Sequence, residues 1–587
     1  MSLAKKSMGL IVLLLIISLL APQMAPASAA FRPRFTTLKI GLSFGSSAVA
    51  SANLMNADGF GRGFDFGHFD SNRNFVPIGA WTDEHRITMT MSRNMVWHPT
   101  ADEGRGAFRE GTSGNVVVGA FHVMLSHGFN TFEEARAAAS MHAGGFVRYQ
   151  RGRTDPFLVL IGQHISRDAA NAAMASLGIP GAEVVTGTQN TIKVVRTGTN
   201  HILFEFDAGA VPLGVMPRSI AGESPETWFR GFRYHGGFTY QRRGGELLTV
   251  VNMVDIEDYV KGVVPYEMSP TWPMEALKAQ AVTARTFAMW SVENQRGRHT
   301  AHGFDLCVEE HCQVYRGRGL ANTRTDHSVS YTRGMFITHN GQLAETVYAS
   351  SNGGASESSE NVWVEARPYL RGVVDPFEAD IAHLARGYNW TVTRTQADLS
   401  NRLRNNVPGF NLGTVANLRV SRWSPTGNVL GVVVTDVNGR THTLSGWTQI
   451  IRGLGVNTLR FNLGNEPWQP GSIFANHPAQ PVNQGTSVFG VDGNGNTVMV
   501  PSTNMRALGA DGAVATVGGG EAGAGGGGSL TPVNGAFTIR GTGLGHQVGM
   551  SQWGAFSMAE FHNKTFRDIV HFYFTGVEIT ETFNAWW

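Results

Sequence analysis

Apolar and polar positions divide this chain into segments of distinct periodicity. Between Leu38 and about Met91, short apolar runs such as LKIGLSFG and ITMTM alternate like strands and are broken by Gly, Ser and Asn. From 116 to 190 a pattern occurs twice. FHVMLSHGF is followed by TFEEARAAASMHA, and FLVLIGQHI by SRDAANAAMASLG. Each copy is an apolar strand, a Thr or Ser in N-cap position and an alanine-rich helix, and the strands FVRYQ and AEVVTG follow the helices. The order βαββαβ predicts one sheet with both helices on one face. Further on, LLTVVNMVDIEDYVKGVV starts as a strand and turns into a short helix. The stretch from Pro273 to Val292 is the clearest helix, because proline suits a first turn and Leu277, Ala281, Ala284, Ala288 and Val292 fall on one stripe.

Texture changes at both ends of the chain. Lys5 and Lys6 precede an apolar run from Met8 to Ala21, then Pro22 and Ala27-Ser28-Ala29. A basic head, a short apolar stretch and small residues predict a secretory signal, with an uncleaved anchor as the alternative. The run is shorter than the roughly 20 residues a membrane span needs. Pro467, Pro470, Pro478 and Pro481, followed by DGNGN and GGGEAGAGGGG, predict a flexible insertion or linker. The expected organisation is a signal or anchor at 1–29, a β-rich region at 35–115 and a two-helix sheet domain at 116–195. A mixed domain then runs over 200–465, is interrupted at 466–534 and is completed at 535–582.

Composition narrows the function classes. The 587 residues are too many for one core, and 42% hydrophobic against 16% charged residues is a globular balance. The net charge of +2 gives no electrostatic case for nucleic acid. Neither a phosphate-binding loop nor a dinucleotide fingerprint is present.

Three constellations carry chemistry. In VVPYEMSPTWP (263–273), the single carboxylate Glu267 sits among Val263, Val264, Met268 and Trp272. Apolar surroundings disfavour the charged form, which suits a general acid. Lys278 and Arg285 lie seven apart on the following helix and share a face with reach to sugar hydroxyls or to the acid, and Gln280 joins them as a substrate-binding candidate. The competing reading is a structural salt bridge. In HTAHGFDLCVEEHC (299–312), two cysteines and three histidines form a soft, compact donor set suited to tetrahedral zinc. The expected ligands are His302, Cys307, His311 and Cys312, with His299 as substitute; four protein donors would make the metal structural. A Cys307–Cys312 disulfide is the alternative. In IRGTGLGHQVGMSQWGA (539–555), the glycines permit close backbone approach, and His546, Gln552 and Trp553 are candidates for a sugar groove. Ser350, Ser351 and Asn352 of YASSNGG read as groove-lining or structural, since no nucleophile elbow surrounds the serines.

The run EDYVKGVVPYEMSPTWPMEALKAQAVTARTFA, with HCQVYRG, YASSNGG and GHQVGMSQWGAFSMA followed by IVHFYFTGVEI, resembles the stage II sporulation protein D (SpoIID/LytB) family over roughly Val250 to Ile579. The resemblance implies an α+β, multidomain protein with a mixed α/β catalytic domain. It also implies a catalytic acid at Glu267, zinc on the Cys/His loop and lytic transglycosylase activity on peptidoglycan. That reaction cleaves the bond between N-acetylmuramic acid and N-acetylglucosamine and leaves a 1,6-anhydro end. The sequence departs from the family pattern at Ser269, and at Leu544 and Gln547, where an aromatic and a glycine are usual. The duplicated stretch resembles the sporulation-related repeat (SPOR) domain, which implies binding to glycan strands stripped of peptides. Family context implies septal wall remodelling in sporulation, an extracytoplasmic location and a cell-wall amidase and a membrane anchor protein as partners. Membrane contact is expected at most through the N-terminus. The alternative within the resemblance is a non-catalytic enhancer of an autolytic amidase.

Overall fold

A computed structural model describes residues 33–582, apart from 220–223, 243–246, 295–298, 364 and stretches of 464–528. The signal-like segment, and most of the Gly/Pro-rich insertion, lie outside the described residues. Within the insertion, strands Ser487–Val491 and Thr497–Pro501 pair as one hairpin, and Arg506–Leu508 and Val514–Thr516 as another. No helix among the described residues is long and apolar enough to cross a membrane. The chain is mixed α+β and divides into two compact units. One is drawn from residues up to Thr346 together with those from Val577 onward, and the other is Val347–Gly576.

The first unit holds two large sheets. One orders Leu306–Cys307, Thr37–Ser43, Leu248–Asp255, Gly237–Arg242, Leu213–Pro217, Phe64–Phe69 and Phe75–Thr82. The entry region is therefore not a separate β unit. Strand Thr37–Ser43 runs antiparallel to Leu248–Asp255 from Thr37↔Asp255 onward, and parallel to Leu306–Cys307. Alternation within a strand reveals which face is buried but not which strand supplies its partner.

The duplicated stretch forms, in order, strand Phe121–Phe129, helix Phe132–Ser140, strands Gly145–Gln150 and Phe157–His164, helix Arg167–Leu177 and strand Glu183–Thr186. Thr131 and Glu134 cap each other's backbone at the first helix, and Ser166 accepts from Ala169 N at the second. The sheet does not end with these four strands. Gly145–Gln150 pairs in parallel with Ile202–Asp207, and the ladder continues to ten strands.

Two helices place the chemistry. Helix Ile256–Glu267 begins where Asp255 accepts a hydrogen bond from Glu257 N and is closed by Pro265 in its last turn, after which Met268 is extended. Helix Met274–Glu293 starts immediately after Pro273. All five stripe residues are buried, but so is nearly every other position, because the helix is packed on all sides. Arg285 is fully buried within it. Its Nε and Nη2 donate to both Glu257 carboxylate oxygens at 2.9 and 2.7 Å, and its Nη2 also donates to Val329 O at 3.2 Å.

Removing one partner of this buried pair leaves the other charge uncompensated, at a cost of about 3–5 kcal/mol. Arg285→Ala is expected to lower the unfolding transition of the first unit accordingly in a denaturant titration. A variant as stable as the parent would show that the pair is dispensable.

Candidate functional site

Glu267 is the last residue of its helix and is half-buried, with Val263, Val264 and Met268 buried around it. Its Oε1 accepts the backbone N–H of Val314 at 2.9 Å, which fixes the carboxyl group. The loop that follows is fastened by Arg324, which donates to Pro270 O at 3.3 Å and Trp272 O at 2.8 Å. Arg324 was missed in the sequence; an arginine in a polar helix gives no sign of what it braces.

The three helix residues expected to face a sugar do not line open surface. Arg285 is committed to Glu257. Lys278, 8% exposed, pairs with Glu275 at 2.7 Å and lies 3.7 Å above the Tyr331 ring. Gln280 is fully buried, and neither of its amide atoms has a partner among the described residues. Seven-residue spacing correctly puts Lys278 and Arg285 on one face, but that face points inward.

The Cys/His loop closes on itself. His299, Cys307, His311 and Cys312 each offer one donor atom, and all four atoms lie within 4.8 Å of one another. His311 Nε2 is 3.5 Å from Cys307 Sγ and 3.2 Å from His299 Nε2, which is 3.5 Å from Cys312 Sγ. Tetrahedral zinc, with bonds of about 2.3 Å to sulfur and 2.05 Å to nitrogen, gives edges of roughly 3.3–3.8 Å, and these three distances are close to the nitrogen–nitrogen and nitrogen–sulfur edges. His302 is not among the donors. It packs on Phe44, 5.3 Å between ring centroids, while the turn Thr300–His302 leaves His299 facing the cysteines. Cys307 and Cys312 are not joined in a disulfide. The hydrogen bond from Cys312 draws the Cys307 thiol below its ordinary value. The loop leads directly into Gln313, which donates to Ala284 O at 3.2 Å, and into Val314, which holds Glu267.

In the second unit, Ser351 and Asn352 are buried rather than groove-lining. They cradle Glu378, which sequence reading did not single out. Its Oε2 accepts from Ser351 Oγ at 2.8 Å and Gly353 N at 2.6 Å, and its Oε1 accepts from Asn352 N at 2.8 Å and from Ser551 Oγ. Asp375 lies alongside, accepting from Asn352 Nδ2 at 2.8 Å and Tyr573 OH at 2.6 Å. Burial, reinforced by the Asp375 charge, pushes Glu378 up to about 7, and burial also raises Asp375. Asp375 before Pro376 is a visible helix-start signal, but its burial is not visible. Ser350 is half-buried and accepts from Trp553 N through its carbonyl. Gln552 is 7% exposed in the first turn of helix Gln552–Glu560. Half-buried His546 accepts the Val548 N–H at Nδ1 and donates to the Tyr348 backbone, and burial lowers its pKa to about 4.

Residues 245–339 match the family model of the stage II sporulation protein SpoIID. An uncharacterized protein of Brachyspira hyodysenteriae is 28% identical over 371 residues, 63% of this chain and 78% of the relative. The amidase enhancer of Bacillus subtilis is 28% identical over 324 residues, 55% of this chain but only 40% of that protein. Stage II sporulation protein D of Bacillus subtilis is 27% identical over 343 residues, 56% of this chain and 76% of the relative. The match spans Glu267 and all four Cys/His donors.

Glu378 has a testable pH signature. A carboxyl raised on folding stabilises fully below its unfolded value of 4.5, and that contribution is lost as pH rises to about 7. The melting temperature of the second unit is expected to fall between pH 5 and pH 7.5, and less steeply in Glu378→Gln. Parallel pH profiles for the two proteins would contradict the assignment.

Proposed function

We propose that this chain, a member of the stage II sporulation protein D family, is a peptidoglycan lytic transglycosylase with Glu267 as its single acid and base. The observation that carries this reading is the placement of one carboxyl at a helix end, half-buried and held by Val314, in a segment whose residues Val263, Val264 and Met268 are buried.

The chemistry needs only that group. Neutral Glu267 gives its proton to the glycosidic oxygen as the bond from that oxygen to C1 of N-acetylmuramic acid breaks. The resulting carboxylate takes the proton of the C6 hydroxyl, whose oxygen closes on C1. A 1,6-anhydro end forms, the carboxyl is neutral again and no water is consumed. This departs from the two-carboxylate arrangement of most glycosidases. Val314 fixes the orientation of the carboxyl group.

Zinc is proposed on His299, Cys307, His311 and Cys312. Four protein donors leave no open position, so the metal would supply a cross-link rather than a Lewis acid. The residues themselves hold the loop that ends at Val314. The wider proposal is an extracytoplasmic enzyme acting on strands stripped of peptides, with the duplicated stretch as a SPOR-like glycan binder. That binder would raise the local strand concentration at the acid. An amidase that strips the peptides and a membrane anchor protein are the proposed partners, in wall remodelling tied to sporulation. Similarity to an amidase enhancer supports a second reading, a wall-binding protein that stimulates an amidase without cleaving glycan.

Glu267→Gln is expected to keep the parental melting temperature and to lose about 10²- to 10⁴-fold in release of anhydro-muramic products from peptide-free strands. Full activity would end the assignment of the acid. Amidase stimulation by wild-type protein that releases no anhydro product would establish the second reading. Metal analysis of protein purified without chelator is expected to find one zinc per chain, lost in Cys307→Ser. Metal-free protein with oxidised thiols would overturn the zinc proposal.

A further inference from the structure

The second unit presents a tryptophan at its surface. Among the described residues, Trp363 is the one tryptophan in the exposed class, at 40%, whereas Trp390 is 7% exposed. Trp553, expected from sequence to face a sugar, packs on Phe556 and belongs to the cluster of Ile381, Ala385 and Tyr388. Trp363 closes the short helix Ser359–Val362, and its N–H donates to Ser359 O at 2.7 Å.

The Trp363 ring is braced from one side. The His546 imidazole lies 5.0 Å away at an interplanar angle of 53°. Val548 N–H enters its Nδ1, and the ring donates to the Tyr348 backbone, so the imidazole is held by both edges. The residue after it is strained. Gln547 has φ 65°, a conformation natural to glycine and costly for a residue with a side chain. Three bonds impose it: Leu459 N donates to Gln547 Oε1 and Glu357 N to Gln547 O, while Gln547 Nε2 donates to Asn352 O. A loop tied down this firmly presents a rigid support to an exposed indole.

We propose that Trp363, positioned by His546, is a stacking platform for a pyranose ring of the glycan strand. This assignment rests on the glycan reading above and gives the second unit a sugar contact of its own. One flat indole face matches the C–H face of a single sugar ring, and the exposed Leu544 (45%) precedes the supporting His546 by two residues in the chain. A stable protein interface needs a far larger surface, about 800 Å² per partner.

The test uses full-length Glu267→Gln protein, which leaves strands uncut, and equilibrium binding to purified peptide-free glycan. Adding Trp363→Ala is expected to weaken binding at least about tenfold, and adding Trp363→Phe to stay within about threefold. His546→Ala should weaken binding too, with the phenylalanine variant as the reference for an intact stack. Melting curves matching the parent exclude unfolding as the cause. Unchanged affinity in the alanine variant overturns the proposal. So does loss of amidase stimulation with unchanged strand affinity, which would mark a protein-docking residue instead. Failure of the catalytic reading is read separately, from product release by the wild type. A parent that binds no strand removes both.

Discussion

The ion pair between Arg285 and Glu257 ties together the two helices on which the candidate acid depends. Glu257 lies in the first turn of the helix that ends at Glu267, and Arg285 lies within the long helix that follows. A guanidinium with no exposed surface is tolerable only when its donors are matched, and the bidentate carboxylate and the Val329 carbonyl do so. The angle between the helices is thereby constrained, and with it the path of residues 268–273. Arg324 then fixes that path from the far side through Pro270 and Trp272. The carboxyl is thus placed by charge pairing at one end of its helix and by backbone hydrogen bonds at the other.

A second constraint meets the first at Val314. Cys312 belongs to the four-donor cluster, Gln313 bonds the long helix, Val314 bonds the acid and the Tyr315 hydroxyl donates to Asn252 in the sheet. Four consecutive residues therefore connect cluster, helix, acid and strand. If the proposed zinc binds, a cross-link in that loop would stiffen the carboxyl group's support without entering the proposed reaction.

The sequence was most legible where physical signals are local. The turn from strand to acid helix, the proline at the long helix, the capped alanine-rich helices and the compact donor loop all follow from short-range chemistry. What failed was long-range. Spacing put Lys278 and Arg285 on a shared face but could not say that the face is interior. The sequence reading prefers His302 with His299 as substitute, whereas the turn Thr300–His302 leaves His299 facing the sulfurs. Ser351 and Asn352 read as groove-lining or structural, and the structure puts them to the second use, hydrogen-bonding the buried Glu378 carboxyl group. Gln547 holds a positive φ that suits glycine, a strain no local sequence signal reveals.

The seven-stranded sheet also bears on how this fold is inherited. Strand Leu248–Asp255 lies between Thr37–Ser43 and Gly237–Arg242, and Met335–His339 pairs with Glu578–Glu581 near the other terminus. All of those neighbours fall outside residues 245–339, the block that matches the family model. A fragment trimmed to that block would carry its central strand with two bare edges, a template for aggregation. The recognisable stretch is therefore not a portable module, and recombination could move Glu267 and its donor loop only together with flanks outside the matched block.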